Sequence, residues 1–278
     1  MIFNEIGAVS KRLFIKWKRS PMFMVSGFLG PLLYLVLFGQ AFNLSALLPN
    51  SVGNEYITSS LLGAPNYFSY FAIGMVAFSS VSIAIFSGVN PLFDRTSGIM
   101  KRTIGTPADR SSIFAGYLLF QTILTMIPAF LVLVISYGLN YIPGLSGLTI
   151  SDSVGILNLA EIFVAIVLLS LSFTSLFLAF GFISKDNNAY FGLTALLQLP
   201  ILLTSNAMYP QSTMPTWLQS IVSLNPVTMA VNVVRENMFG GMLYTYSPAI
   251  YLAELATWSL ALIILALFIV RRSFYSEN

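Results

Sequence analysis

The sequence predicts an all-α, polytopic membrane protein, and two observations carry that expectation. Hydrophobic residues make up 56% of the 278-residue chain and only 8% are charged, against about 25% charged in soluble domains. The few charges are also clustered. The gaps between them are long enough for spans of about 20 apolar residues, the length that crosses roughly 30 Å of hydrocarbon. A mean hydropathy of +0.82 agrees.

Residues 1–20 come first. Ile2, Ile6, Val9, Leu13 and Trp17 recur every three or four positions, with Glu5, Lys11, Arg12 and Lys16 on other faces. This pattern predicts an amphipathic helix lying along the cytoplasmic headgroup layer. Six transmembrane helices are then expected, at 21–42, 68–89, 113–137, 162–183, 190–209 and 249–270. Pro31, Pro128 and Pro200 fall inside three of them, where each frees a backbone carbonyl and permits a kink. The last span holds Glu254, the one ionisable residue within the spans, near the outer interface only six residues after Pro248, and stops at Arg271 and Arg272.

Six spans place both termini and the loops after the second and fourth spans on one side. Twelve of the thirteen basic residues then share that side and Arg235 stands alone on the other, while the acidic residues divide five and five. Lys and Arg mark the cytoplasmic face and acidic residues contribute little. Both termini are therefore expected in the cytoplasm, in a multi-pass protein of the cell membrane. The net charge of +3 reads as topology, with no nucleic acid as partner. The outer connectors 43–67 and 140–160 are rich in Ser, Gly and Asn and carry no basic residue.

Two segments break the apolar monotony. The cytoplasmic loop 92–112 gathers Asp94, Arg95, Lys101, Arg102, Asp109 and Arg110. Ser97-Gly98 and Thr106-Pro107 punctuate it and leave room for one or two short helices. Topology alone needs only basic residues, so the mixture of signs points to a docking surface. The outer stretch 210–248 is apolar yet cut by Pro210, Pro215, Pro226 and Gly240-Gly241. Neither half can cross, and two short helices dipping into the outer leaflet and returning are expected. Arg235 and Glu236 fall near the end of the second, as a solvated charge pair or in a special role.

Several chemistries are absent from the sequence. It has no His and no Cys, which excludes imidazole acid–base work, thiolate nucleophiles and the usual zinc, haem and iron–sulfur ligands. No Gly precedes Lys, so there is no P-loop to cradle ATP phosphates. A channel, a scaffold, or a transporter driven by a separate protein remains. An ion-coupled secondary transporter also stays open, because Glu254 is an ionisable group within a span.

The loop run Phe93-Asp94-Arg95-Thr96-Ser97-Gly98, followed by Thr106-Pro107 and Arg110, resembles the cytoplasmic signature of type-2 ABC exporter permeases. The outer run of Met214-Pro215, Trp217-Leu218, Asn225-Pro226-Val227-Thr228, Arg235 and Gly240-Gly241 is similar to the outer motif of that family. Thr96, Ile99 and Lys101 depart from the loop signature. The resemblance covers essentially the whole of 1–278 and implies a single transmembrane domain that exports a hydrophobic or amphiphilic compound, drug-like or lipid-like. Export of polysaccharide or a lipid-linked glycan is the alternative within the family.

The resemblance further implies a homo- or heterodimer of permease subunits in the bilayer with two copies of a separate P-loop ATPase subunit. ATP and Mg would sit on that partner, with no cofactor and no metal on this chain. Asp94, Arg95, Gly98, Lys101, Arg102, Thr106, Pro107 and Arg110 would couple to the ATPase. Asn225, Pro226 and Arg235 would form the outer re-entrant motif. Tyr34, Phe38, Phe71, Phe78, Gln198 and Asn206 are candidates for the wall of a path between subunits.

Overall fold

The computed structural model describes residues 2–19, 22–41, 61, 63–106, 109–184, 186–240 and 246–275. Pro107, Gly241 and most of the outer connector 43–67 lie outside them. The fold is a bundle of helices: α1 (Ile2–Lys18), α2 (Met22–Ala41), α3 (Tyr67–Ala84), α4 (Val89–Thr96), α5 (Ile99–Ile104), α6 (Arg110–Gly138), α7 (Ile156–Ile183), α8 (Asn187–Leu203), α9 (Thr216–Ser223), α10 (Pro226–Phe239) and α11 (Pro248–Tyr275). Among the described residues, four rods are long and apolar enough to cross a membrane: Tyr67–Thr96, Arg110–Tyr141, Ile156–Ile183 and Pro248–Arg272.

At the centre stands α3, whose side chains are all buried and which packs against α2, α6, α7 and α10. Lipid offers no hydrophobic drive between helices, so close approach through small side chains must supply the packing. In α3 these are Ser69, Ala72, Gly74, Ala77, Ser79, Ser80, Ser82 and Ala84. On its far side α7 lies along α11, and α1 rests against the start of α6. There Ser10 Oγ donates to the Gly116 carbonyl at 2.9 Å.

The second expected span was to stop near 89, with the charged loop beginning directly after it. Instead a 3-10 turn, Ile85–Gly88, passes the rod from α3 into α4. Pro91 falls in the first turn of α4, and the Ser87 carbonyl four residues back, which its missing N–H leaves open, accepts from Gln121 Nε2 at 3.4 Å. Tyr190 of α8 donates its hydroxyl to the Ile85 carbonyl at that turn. Asp94 and Arg95 thus ride on the end of a rod, and the free connector begins at Ser97.

The fifth expected span, 190–209, is also redrawn. Asp186 opens α8 by accepting from Ala189 N at 2.8 Å, and the helix ends at Leu203. Its 17 residues are about 26 Å long at 1.5 Å per residue. Side chains end it: Thr204 Oγ1 takes the Pro200 carbonyl at 2.7 Å and Ser205 Oγ the Leu202 carbonyl at 2.6 Å. Hydroxyls placed so compete with the backbone for its own acceptors. The chain then runs irregularly through 204–209. Over the first expected span, α2 has 20 residues, about 30 Å.

Candidate functional site

The described structure has two polar knots, one at each end of the bundle. In the first, Asp94 is buried, its side chain 3% exposed. Arg12 Nη2 donates to its Oδ2 at 2.6 Å, and Lys16 Nζ stands 3.5 Å from Oδ1. The Tyr117 hydroxyl also donates to Oδ2 and accepts from Arg12 Nη2 at 2.7 Å. One carboxylate therefore ties α1, α4 and α6 together. The next residue, Arg95, turns the other way. Its Nη1 donates to the Phe182 and Ser184 carbonyls at 3.0 and 3.4 Å, where a cation meets the negative end of the α7 dipole.

Gly98 separates α4 from α5 at φ +74°, a left-handed conformation that a side chain would strain. The turn aims α5 away from the bundle. Phe93, Ile99, Lys101, Arg102 and Thr106 are exposed, while Met100 is buried as the anchor. The eight sequence-derived coupling residues thus divide. Asp94 and Arg95 are bound inside the subunit, Gly98 sets the turn, Lys101, Arg102 and Thr106 face outward, Arg110 opens α6, and Pro107 is not described. Sequence reasoning missed Arg12, Lys16 and Tyr117. The signal lay in the basic residues of the first helix, which need a carboxylate if that helix packs on protein.

The second knot surrounds Arg235, which is 0% exposed and so is no solvated charge pair. Nη1 donates to the Asn206 carbonyl at 3.0 Å; Nη2 donates to the Tyr70 and Ala207 carbonyls at 2.8 and 3.1 Å. The guanidinium stacks on the Tyr70 ring, 3.4 Å from its centroid, a favourable cation–π arrangement. No carboxylate pairs with it among the described residues. Thr228 and Asn232 precede it at helical spacing and complete the grip on Asn206. Thr228 Oγ1 accepts from its N at 3.2 Å, and Asn232 Oδ1 from its Nδ2 at 2.6 Å. This Thr-Asn-Arg stripe, spaced four and three apart, was the sequence signal for the knot. Gly74 of α3 makes room for the strand of chain it holds: a Cβ there would lie 1.9 Å from the Ala207 carbonyl oxygen.

Asn225 and Pro226 hinge the same region. The Asn225 Oδ1 caps α10 by accepting from Val227 N at 2.9 Å, and its Nδ2 donates to the Ile201 and Thr204 carbonyls at 2.9 and 2.8 Å. One side chain thus serves the start of α10 and the end of α8, with Pro226 at the first helical position. Beyond Arg235, the Glu236 carboxyl is pushed up to about 7, first by burial and then by the nearby Glu161 charge. Its Oε2 finds no hydrogen-bond donor, and Asn237 Nδ2 donates to Glu161 instead, at 2.9 Å.

The six path candidates lie in two environments. Tyr34 and Phe38 are exposed on α2 and stack on each other at 5.4 Å. Phe71, Phe78 and Asn206 are buried within the subunit. Gln198 is half-buried and donates to Ser82 Oγ at 3.2 Å.

Residues 4–239 match the ABC-2 type transporter family. A candidate transport permease, ycf38, from Porphyra purpurea is 32% identical over 236 residues, 84% of this chain and 74% of the relative. Its counterpart in Cyanophora paradoxa is 29% identical over 274 residues, 95% and 85% of the two chains. The daunorubicin resistance ABC transporter permease protein DrrB1 of Streptomyces coeruleorubidus is 23% identical over 229 residues, 82% and 73%.

Proposed function

The chain belongs to the ABC-2 type transporter family, and on that premise we propose that it is the membrane half of an ATP-driven exporter whose α5 docks on a separate ATPase. A multi-pass membrane permease, it transports and does not catalyse. Residues 1–278 act as one transmembrane domain, with α2 and α8 completing six spans around the four long rods. Both termini face the cytoplasm, α1 lies at the cytoplasmic headgroup layer, and α9 and α10 form a re-entrant pair on the outer side. Two such subunits, identical or not, enclose the path and bind two ATPases that hold the ATP and Mg. A hydrophobic or amphiphilic cargo fits the apolar, nearly uncharged span surfaces, and a relative named for daunorubicin resistance supports that class.

The observation that carries the proposal is the division of labour around Gly98. Buried Asp94 and half-buried Arg95 fasten the base of the coupling segment to α1, α6 and α7, while Phe93, Ile99, Lys101 and Arg102 present an apolar and basic surface. A push on α5 from closing ATPases would therefore pass into three helices at once. Replacing exposed charges leaves stability within about 0.5 kcal/mol, so Lys101→Glu with Arg102→Glu should give folded permease that no longer co-purifies with a P-loop ATPase. Undiminished co-purification refutes the docking surface. Transport that persists without the ATPase and collapses with an ionophore refutes the ATP-driven reading.

A further inference from the structure

A cavity of about 270 Å³ opens between α1, the α3–α4 rod and α6. This is many times the roughly 30 Å³ share of one water and suits a single flexible chain. Leu13, Ile83, Phe120 and Leu124 form apolar walls, and Lys16, Trp17 and Asn90 also line it. None of the six path candidates borders it. Two polar groups are not fully used by the protein. The buried Trp17 indole N–H has no acceptor, and Lys16 reaches Asp94 only at 3.5 Å, on the oxygen that Arg12 and Tyr117 leave free. The Lys16 ammonium also lies 5.0 Å from the Phe93 ring centroid and its side chain is 44% exposed.

We propose that this cavity is a site for an anionic phospholipid of the cytoplasmic leaflet, one acyl chain lying against Leu13, Ile83, Phe120 and Leu124 and the phosphate meeting Lys16 and the Trp17 N–H. A cation and an unspent N–H select an acceptor-rich anion, and the apolar walls reject a soluble one. Asp94 does not repel the phosphate, because Arg12 neutralises it. The lipid would wedge α1 against the rod and steady the base of the coupling segment. The assignment to the cytoplasmic leaflet rests on the membrane placement proposed above; the lipid chemistry does not.

The test uses the full chain in nanodiscs of mixed phosphatidylglycerol and phosphatidylcholine, stripped with detergent, with retained lipid counted by mass spectrometry. Wild type should keep one phosphatidylglycerol per chain in preference to phosphatidylcholine. Lys16→Gln should lower that preference about fivefold, the equivalent of roughly 1 kcal/mol for one Lys at an anionic surface. Lys16→Arg should keep the preference, and Val89→Phe, which puts a larger side chain into the cavity lining, should lower retention of both lipids. Equal retention of the two lipids by wild type overturns the proposal. So does an unchanged preference in Lys16→Gln, or release of the lipid by inorganic phosphate alone. Because both nanodisc leaflets have the same composition, these results do not depend on orientation. Labelling of Lys101→Cys in cells by a membrane-impermeant maleimide tests the orientation separately, and labelling from outside would overturn the leaflet while leaving the lipid site standing.

Discussion

The two polar knots solve the same problem, a charge inside a membrane protein, by opposite means. Around Asp94 the charge is met by opposite charges, and those partners reach water: the Arg12 and Lys16 side chains are 36% and 44% exposed. Around Arg235 no counter-charge takes part among the described residues. Three carbonyls and an aromatic face share the guanidinium, and nothing in the knot is wet. Ion pairs that touch water can be loosened by salt or exchanged for another ion. Hydrogen bonds to fixed dipoles in a dry site cannot be exchanged without breaking the packing. The first knot suits a joint that must respond to a partner, the second a fixed post against which that joint works.

The sharpest break in this comparison is Arg235→Met. It would leave three buried carbonyls without their donor and should destabilise the fold by about 4 kcal/mol, within the range for stripping one partner from a buried charged site. The measurement is the thermal midpoint of the detergent-purified protein. Arg235→Lys should recover less than half of the loss, because a point charge cannot reproduce a planar fork aimed at three oxygens. Recovery to the wild-type midpoint would mean that charge alone, and not geometry, holds the post.

Asp94→Asn comes next, with a loss of about 3 kcal/mol, since two cations lose their carboxylate but keep access to water. A cycle pairing it with Arg12→Ala should return a coupling of about 1 to 2 kcal/mol. Raising salt should erode the coupling, whereas the Arg235→Met deficit should not change with salt. A salt-independent inner coupling would erase the distinction drawn above. Third is Asn225→Ala, which removes one cap and the donor to two carbonyls and should cost about 2 kcal/mol. Its marker is earlier melting without a change in salt response.

These differences explain what could and could not be read from the residues. Long apolar runs bounded by charge announced the four long rods, because lipid thickness imposes one length on them all. The residues of the loop signature were legible as a group but not by role: Asp94 and Arg95 point into the subunit and Lys101 and Arg102 out of it. That sorting depends on where α1 and α7 come to rest, which no local pattern states. Arg235 was visible as a lone outer charge. Its partners are backbone carbonyls, and carbonyls leave no trace in a sequence.

The smallest effect tests whether the outer knot is as inert as its lack of counter-ions implies. A pH response beside the knot is expected from Glu236, the next residue on α10. The titratable groups that interact with that carboxyl are Glu161 on α7 and Tyr251 on α11, with Glu254 beside Tyr251. Burial and Glu161 raise its titration from 4.5 to about 7, so the folded state favours the protonated form. Such a group supports the fold fully below about 4.5 and loses that contribution as pH rises through about 7. The Glu236 side chain is only half-buried, so the slope should be shallow. Melting of the detergent-purified protein should therefore move to slightly lower temperature between those two pH values, and Glu236→Gln should flatten that part of the profile. If the slope survives in Glu236→Gln, the response belongs to another group and the outer knot is insulated from this carboxylate after all.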